Sequence, residues 1–538
     1  MHRYLNTLKP FLKPYRFLII ASLLLLPLGS ITYSIQPIIV QRAIDNLPSL
    51  WTYVAVLLAV VLLNFVLQIL QFYLINKVGQ GIVSDMRQKL FMHMEKLPLS
   101  FFDRTPVGRS VSRLTSDIEQ LSESFAGGLI LVLLDIVNIM GILAFMFYLN
   151  TKLTLIILAF LIPVFILSNF YQEKFQTANL QARVELSKLN SFLHQNIIGI
   201  KVVQIHNALN WTNQRFADIN QKYFKANDES IKSDAQLSAL IEMISLLAIL
   251  VLIFICSKFF SDLVVSAGLI IAFIQYSQSL FEPIRNLTDR FTVIQSAFTA
   301  LARIEEVFGE NTELYLEGDL IESHKNHIEP VISFENVSFR YKPDSNWVLR
   351  DFNLKVFAGE KIGIVGRTGQ GKSTLIKILT GMYQIENGSI KIYGKNINEI
   401  SKKDLREKIS VIHQDSYIFA GDLFENIYLN RNIDPDLNIQ KLHELLSEAQ
   451  IDHKTELSER AANISSGQQQ MINFLRVYVS DPLIVVLDEA SSRIDESTES
   501  VMHKYLNAKF KDKTMILIAH RTKTLNECDR IIDLSLKN

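Results

Sequence analysis

Cysteine is almost missing from this 538-residue chain, which has only Cys256 and Cys528. Two thiols cannot build a disulfide framework or a thiolate metal site. An excess of charge of one sign is missing too: 54 Lys and Arg stand against 54 Asp and Glu, so net charge gives no electrostatic ground for a nucleic-acid partner. Glycine (21) and proline (13) are sparse and 49% of residues are hydrophobic, which excludes a collagenous or disordered chain. At about 100–200 residues per domain, this length implies two to four domains. What the chain does have is apolar sequence, unevenly spread.

Most of it lies before residue 290. Trp51–Asn76 is free of charge for longer than the roughly 20 residues with which a helix crosses about 30 Å of hydrocarbon. Comparable stretches are Phe17–Val40, Ala126–Leu149, Leu153–Gln172, Ala235–Ser257 and Leu263–Phe281, of which Asp135 interrupts the Ala126 stretch and Glu242 the Ala235 stretch. Six spans are expected. A soluble protein would have to bury six nearly all-round apolar helices within the same residues.

Basic residues crowd the N-terminal tail (Arg3, Lys9, Lys13, Arg16) and the connections Lys77–Phe125 and Glu173–Asp234, whereas the other three connections carry only Arg42, Lys152 and Lys258. Positive charge marks the cytoplasmic side, so both termini are expected inside. The first span is followed by QPIIVQRAIDN rather than a small-residue cleavage site, and the amphipathic YLNTLKPFLKPYR precedes it, so it reads as a retained helix with an interfacial elbow. The two long basic connections keep helical periodicity, which predicts membrane helices that continue into the cytoplasm. Each is broken near its middle, at Phe101–Ser110 and at His206–Phe216, where short transverse helices would be free to touch another domain. The expected domains are a helical membrane domain (residues 1–308), a polar linker (309–330) and an α/β domain (331–538).

From Val331 onward the pattern changes to short β-branched strands and Gly-rich turns. KIGIVGRTGQGKSTLIKIL (Lys361–Leu379) reads as a strand, a G-x-x-x-x-G-K-S loop and a helix. Gly366, Gly369 and Gly371 let backbone N–H groups converge on phosphate oxygens, Lys372 offers charge to the terminal phosphates, and Ser373 can ligate Mg2+. In LIVVLDE (Leu483–Glu489) a buried strand ends at Asp488, placed to hold Mg2+ through water, and Glu489 can polarise an attacking water.

Between these two motifs lies ISSGQQQ (Ile464–Gln470), opening a helix, and here the sequence resembles the ATP-binding-cassette family, in particular half-transporters of the six-helix exporter type. The resemblance spans essentially the whole chain. It matches Gly366–Ser373 to the Walker A loop, with Arg367, Thr368, Gln370 and Thr374 in or beside it, Asp488 to the Walker B aspartate and Glu489 to the catalytic glutamate. It further implies that Gln414 reaches Mg2+ and the water, that His520 contacts the γ-phosphate, that Tyr341 stacks on adenine, and that Asp495 is the D-loop aspartate. In the membrane half, Asp85–Leu121 and Gly268–Phe273 resemble exporter text, with Phe101–Ser110 and His206–Phe216 at coupling-helix positions. ATP and Mg2+ are the implied ligands.

The resemblance also implies a composite site, in which Ser465, Ser466, Gly467 and Gln468 cover ATP held by the opposite domain, so that a second half-transporter is required. Ile464 and Ser466 depart from the usual LSGGQ, SRID departs from SALD, and Gln370 stands where Ser is common. A Cβ beside a phosphate obstructs close approach. An intact Walker pair with an altered signature resembles one subunit of a heterodimer; a homodimer with a tolerated Ser466 is the alternative. After Cys528–Asn538 the sequence does not continue into the Gly-containing strand and short helix that usually close the family's nucleotide domain, for which less C-terminal contact between nucleotide domains and a deleted end are equal readings.

The expected function is ATP-driven export of drugs or lipids across the cytoplasmic membrane by alternating access, with an ATP-gated channel or nucleotide-switched regulator as the alternative. A peptide-processing exporter is disfavoured because no protease domain precedes the first span. Asp135 and Glu242 lie inside spans, where a central charge costs roughly 2.5–3.5 kcal/mol on insertion scales, so they are candidates for contact with a cationic substrate, with interhelical bonding or an interfacial position as the ordinary readings. Gln275, Tyr276 and Gln278 are further cavity-lining candidates.

Overall fold

The computed structural model describes residues 8–124, 128, 130–258, 266–313, 321, 329–367, 369–413, 417–429, 439–488, 496–518 and 528–534. The chain separates into two compact units, Met1–Glu95 with Val107–Glu310, and Lys96–Pro106 with Asn311–Asn538. The main helices of the first half, in chain order, are α1 (Arg16–Ser34), α2 (Gln36–Asp45), α3 (Leu50–Met94), α4 (Leu99–Arg104), α5 (Ile130–Leu149), α6 (Thr151–Ile198), α7 (Leu209–Lys258) and α8 (Ala267–Phe308). Of these, α4 belongs to the second unit.

Among the described residues, four helical runs are long and apolar enough to cross a membrane: Leu8–Asp45, Leu47–Met94, Ile130–Leu149 and Leu209–Ser257. Thr151–Leu167 is a shorter apolar run inside α6, and residues 263–265 at the start of the sixth expected span lie outside the described residues. In the first half of α3 most apolar side chains face outward, with Phe65 59% and Phe72 72% exposed, as a lipid-facing helix requires, whereas Ile82, Met86 and Leu90 farther along are buried. At 48 and 50 residues, α6 and α7 are each roughly 70 Å long, more than twice the hydrocarbon thickness, and lie against one another.

Irregular backbone in this unit is compensated by polar side chains. At the α1–α2 junction the Ile38 N–H donates to the Ile35 carbonyl (3.1 Å) instead of reaching back to Ser34, and the buried Tyr276 hydroxyl of α8 donates to the Ser34 carbonyl at 2.5 Å. Asp45, the last residue of α2, accepts the Gly268 N–H at 3.0 Å and the Ser266 hydroxyl at 2.6 Å, placing a carboxylate on the N-terminus of α8. That approach requires glycine: a Cβ at Gly268 would lie 2.4 Å from the Gln41 carbonyl oxygen. Farther along α8, Arg303 makes a two-bond pair with buried Asp117 (2.8 and 3.1 Å), and Glu306 pairs with buried Arg113 at 2.7 Å. Both partners lie on the π-helical turn Arg113–Asp117, whose wider backbone turns these charges inward.

The second unit contains β1 (Ile332–Phe339), β2 (Leu349–Val356), β3 (Lys361–Val365), α9 (Lys372–Leu379), β4 (Asn387–Ile392), β5 (Lys395–Asn396), α10 (Lys402–Lys408), β6 (Ile409–Ile412), β7 (Gly421–Asp422), α11 (Leu423–Tyr428), β8 (Glu456–Leu457), α12 (Ser466–Tyr478), β9 (Ile484–Asp488), α13 (Glu496–Lys509), β10 (Thr514–Ile518) and β11 (Arg530–Asp533). The antiparallel sheet has the order β2-β1-β4-β5, and the parallel sheet β11-β3-β10-β9-β6. The inner strands β3, β10 and β9 are nearly continuous apolar runs because both of their faces are covered.

Segments leading into this unit are fastened to α10. Glu313 pairs with Arg406 at 2.8 Å, buried Asp404 accepts the Ile321 N–H at 2.6 Å, and the Glu313 N–H donates to the Lys96 carbonyl at 2.7 Å. Burial pulls the neighbouring Lys402 ammonium below the usual lysine range. The stretch after the last membrane helix is therefore a docked strap at these points.

Candidate functional site

In the parallel sheet, Ile364 of β3 is opposite Ile518 of β10, Ile518 is opposite Asp488 of β9, and Leu487 is opposite Ile412 of β6. The carboxyl ends of four strands therefore form one edge. The Gly366–Ser373 loop follows one of these ends and Asp488 closes another. Gln414, Glu489 and His520 come within two residues of strand ends on the same edge; these three, with Thr368 and Asp495, lie outside the described residues.

Gly369 (φ 85°) and Gly371 (φ 93°) adopt left-handed backbone, which turns successive N–H groups toward the inside of the loop. Gly371 caps α9, and a Cβ there would also lie 3.0 Å from Val348 Cγ1. Lys372 is buried and donates from Nζ to the carbonyls of Gly366 (2.6 Å) and Arg367 (3.3 Å), so its ammonium is held across the loop mouth. Gln370 folds back inside, its Oε1 accepting the Arg367 N–H at 2.6 Å. This gives the departure from Ser a structural role: its amide bridges the loop. Ser373 is exposed at the start of α9, while Thr374 shares a 3.0 Å hydrogen bond with the Tyr341 hydroxyl. Tyr341 leaves 42% of its surface exposed at the end of β1. A left-handed amide cradle, a cation and an accessible ring fit a nucleoside polyphosphate.

At the signature, Ser465 is the N-cap of α12 in a reciprocal capping box: the Gln468 N–H donates to Ser465 Oγ (3.2 Å), and the Ser465 N–H donates to Gln468 Oε1 (2.9 Å). Ser466 is exposed beside buried Gly467. Residues farther along α12, unanticipated from the sequence, fix the neighbouring loop. Gln470 and Asn473 both donate to the His413 carbonyl (2.9 and 3.0 Å), immediately before Gln414. Buried Arg476 donates to the carbonyls of Tyr417 and Asn426, both at 2.8 Å. The signal was present as amides three residues apart on one helix face, but a Gln run reads equally as a solvated surface.

In the first unit, Glu242 and Gln278 come together with Ser245 and Glu282 around a cavity of about 240 Å3 between α7 and α8, walled by Ile241, Leu246, Ile249 and Phe281. Gln275 is half-buried on α8 and is not among the cavity's lining residues. Asp135 on α5 forms an ion pair with Arg290 on α8 (2.8 Å). The sequence reading did not include Arg290 or Glu282.

An apolar helical unit joined to a P-loop α/β domain defines a membrane protein with its own nucleotide-hydrolysing engine. Residues 19–284 match the ABC transporter transmembrane region, and residues 349–492 match the ABC transporter domain. Over 97% of its length the chain is 31% identical to the Bacillus subtilis ABC transporter ATP-binding protein YknV, covering 89% of that protein. Over 99% of its length it is 27% identical to Bacillus subtilis YgaD, named a multidrug export ATP-binding/permease protein, covering 94% of it. The chain belongs to the ABC transporter family. It is a multi-pass membrane half-transporter of the exporter type, binding ATP and coupling its hydrolysis to transport.

If the α12 amides hold the loop through His413, Asn473→Leu should leave that carbonyl short of one donor at a cost of about 1–3 kcal/mol. ATPase assays on the purified transporter should then show kcat falling about tenfold while the KM for ATP moves less than threefold.

Proposed function

We propose that this chain is one half of an exporter of hydrophobic or amphipathic compounds, drugs or lipids, driven by ATP through alternating access. The common carboxyl edge carrying the phosphate loop and Asp488 is the main observation supporting ATP-driven turnover. In this reading Tyr341 stacks on adenine, and Gly366–Thr374 with Lys372 hold the phosphates. Ser373, Gln414 and Asp488 hold Mg2+, which neutralises phosphate charge when bound. Glu489 polarises the attacking water and His520 contacts the γ-phosphate. Ser465, Ser466, Gly467 and Gln468, with Asp495 nearby, serve the site of a second half-transporter. ATP favours the closed pair of nucleotide domains, and hydrolysis removes that preference. Both termini face the cytoplasm, and residues 309–330 link the membrane domain to the nucleotide domain.

Glu489→Gln tests turnover: ATP hydrolysis should fall by at least about a hundredfold with nucleotide retained, and transport should stop. Transport continuing at the unmodified rate without hydrolysis would overturn the pump.

The partner is proposed to be a different chain, because Ser466 puts a Cβ where the signature usually presents glycine to phosphate. Expressed and purified alone, the chain should not form a stable dimer with substrate-stimulated ATPase. Recovery of such a dimer would establish a homodimer instead.

The α7–α8 cavity supports a substrate with a cationic end, since apolar walls carry carboxylates at Glu242 and Glu282. In proteoliposomes, Glu242→Gln with Glu282→Gln should reduce uptake of tetraphenylphosphonium roughly tenfold while basal ATPase is unchanged.

A further inference from the structure

Tyr383, in the turn after α9, touches two features that the sequence reading kept apart. Its ring meets Tyr341 edge-on, with centroids 5.2 Å apart and planes at 89°, and both rings meet Phe339. Its hydroxyl donates to the carboxylate of Asp103 in α4, the short helix of the first predicted transverse segment. The Lys377 ammonium lies over both tyrosine rings, at 5.5 and 5.7 Å from their centroids, and 4.0 Å from the Asp103 carboxylate. Lys377 and Thr374 are three residues apart on α9, so the helix that begins at the phosphate loop contacts the same aromatic pair twice.

A phenol has one hydrogen to donate, and here a carboxylate takes it, which makes the bond charge-assisted and directional. Burial, and then the adjoining Asp103 carboxylate, hold the phenol above the usual tyrosine range, so it remains a donor throughout the physiological pH range. Tyr341 is 42% exposed, which leaves its ring a face for a base, and it meets Tyr383 and Phe339 at near-perpendicular angles. A base stacking on that face fixes the ring, and close packing passes the constraint to the neighbour.

We infer that Tyr383 is a positioning residue that reports occupancy of the adenine site to α4 through the Asp103 hydrogen bond. This rests on the reading of Tyr341 as the adenine-stacking residue. Tyr383 does not act on the phosphates. Its role is to make the order of α4 depend on the base rather than on phosphate charge alone.

The test is hydrogen exchange on the full-length chain in its assembled transporter, in nanodiscs, with magnesium and either adenylyl imidodiphosphate or inorganic tripolyphosphate. The adenine nucleotide should slow amide exchange across Leu99–Arg104 by about fivefold or more, and tripolyphosphate, which has no base, should not. Tyr383→Phe keeps the ring and loses the donor: nucleotide affinity should stay within about twofold while the slowing of α4 disappears. Asp103→Asn keeps an acceptor oxygen and should retain it. Nucleotide-dependent slowing that survives in Tyr383→Phe, or is matched by tripolyphosphate, would overturn the inference alone, as would nucleotide binding without any slowing in the unmodified chain. Failure of the unmodified chain to bind the adenine nucleotide would overturn the nucleotide reading together with it.

Discussion

Strands β3, β6, β9, β10 and β11 run in one direction, and that direction brings residues scattered over 150 positions to one edge. A parallel sheet has no alternation of strand ends: every loop after a carboxyl end opens on the same side. Val365, Ile412, Asp488 and Ile518 therefore deliver their following loops to a common edge although β6 and β10 are more than 100 residues apart. Changing the register of β9 by one residue would reverse the faces of Val485, Val486 and Leu487 and withdraw Asp488 from that edge. The apolar cores on both faces hold the register, so burial far from the phosphate loop sets the chemistry's geometry.

Helix α12 carries this order into the neighbouring lobe. Its first turn is closed by Ser465 and Gln468, a local arrangement that any capping box makes. Its later turns do something nonlocal: Gln470 and Asn473 hold the carbonyl before Gln414, and Arg476 holds the chain after it. One rigid helix therefore presents the signature at its N-terminus and braces the loop that follows β6. Movement of either is constrained by the other, because buried donors left without acceptors cost too much to leave the pair loosely joined.

The features legible in the sequence were those whose chemistry is local. The phosphate loop announces itself because left-handed Gly369 and Gly371, Lys372 and the start of α9 occupy consecutive positions. Membrane helices announce themselves because length and polarity are counted along the chain. What stayed hidden depends on pairs far apart. Asp103 and Tyr383 are separated by 280 residues, and α4 has only six residues, too few for a periodicity to show which face is buried. Gln370 stands where Ser is common, and its bond to the Arg367 N–H depends on the loop's path, which the sequence does not show.

Inside the membrane unit, backbone groups left over where a helix breaks or begins are met by side chains from other helices. The Ser34 carbonyl freed near Pro37 finds Tyr276, and the first turn of α8 finds Asp45. Asp135 has Arg290 at 2.8 Å, so a cationic substrate at Asp135 would have to displace a guanidinium already in place. The α7–α8 cavity differs in kind. Glu242 and Glu282 line a volume bounded by Ile241, Ile249 and Phe281, so carboxylates and apolar side chains face one space. The two acidic sites thus differ in their surroundings: the Asp135 carboxylate bridges α5 to α8 through Arg290, whereas Glu242 and Glu282 face a space between α7 and α8.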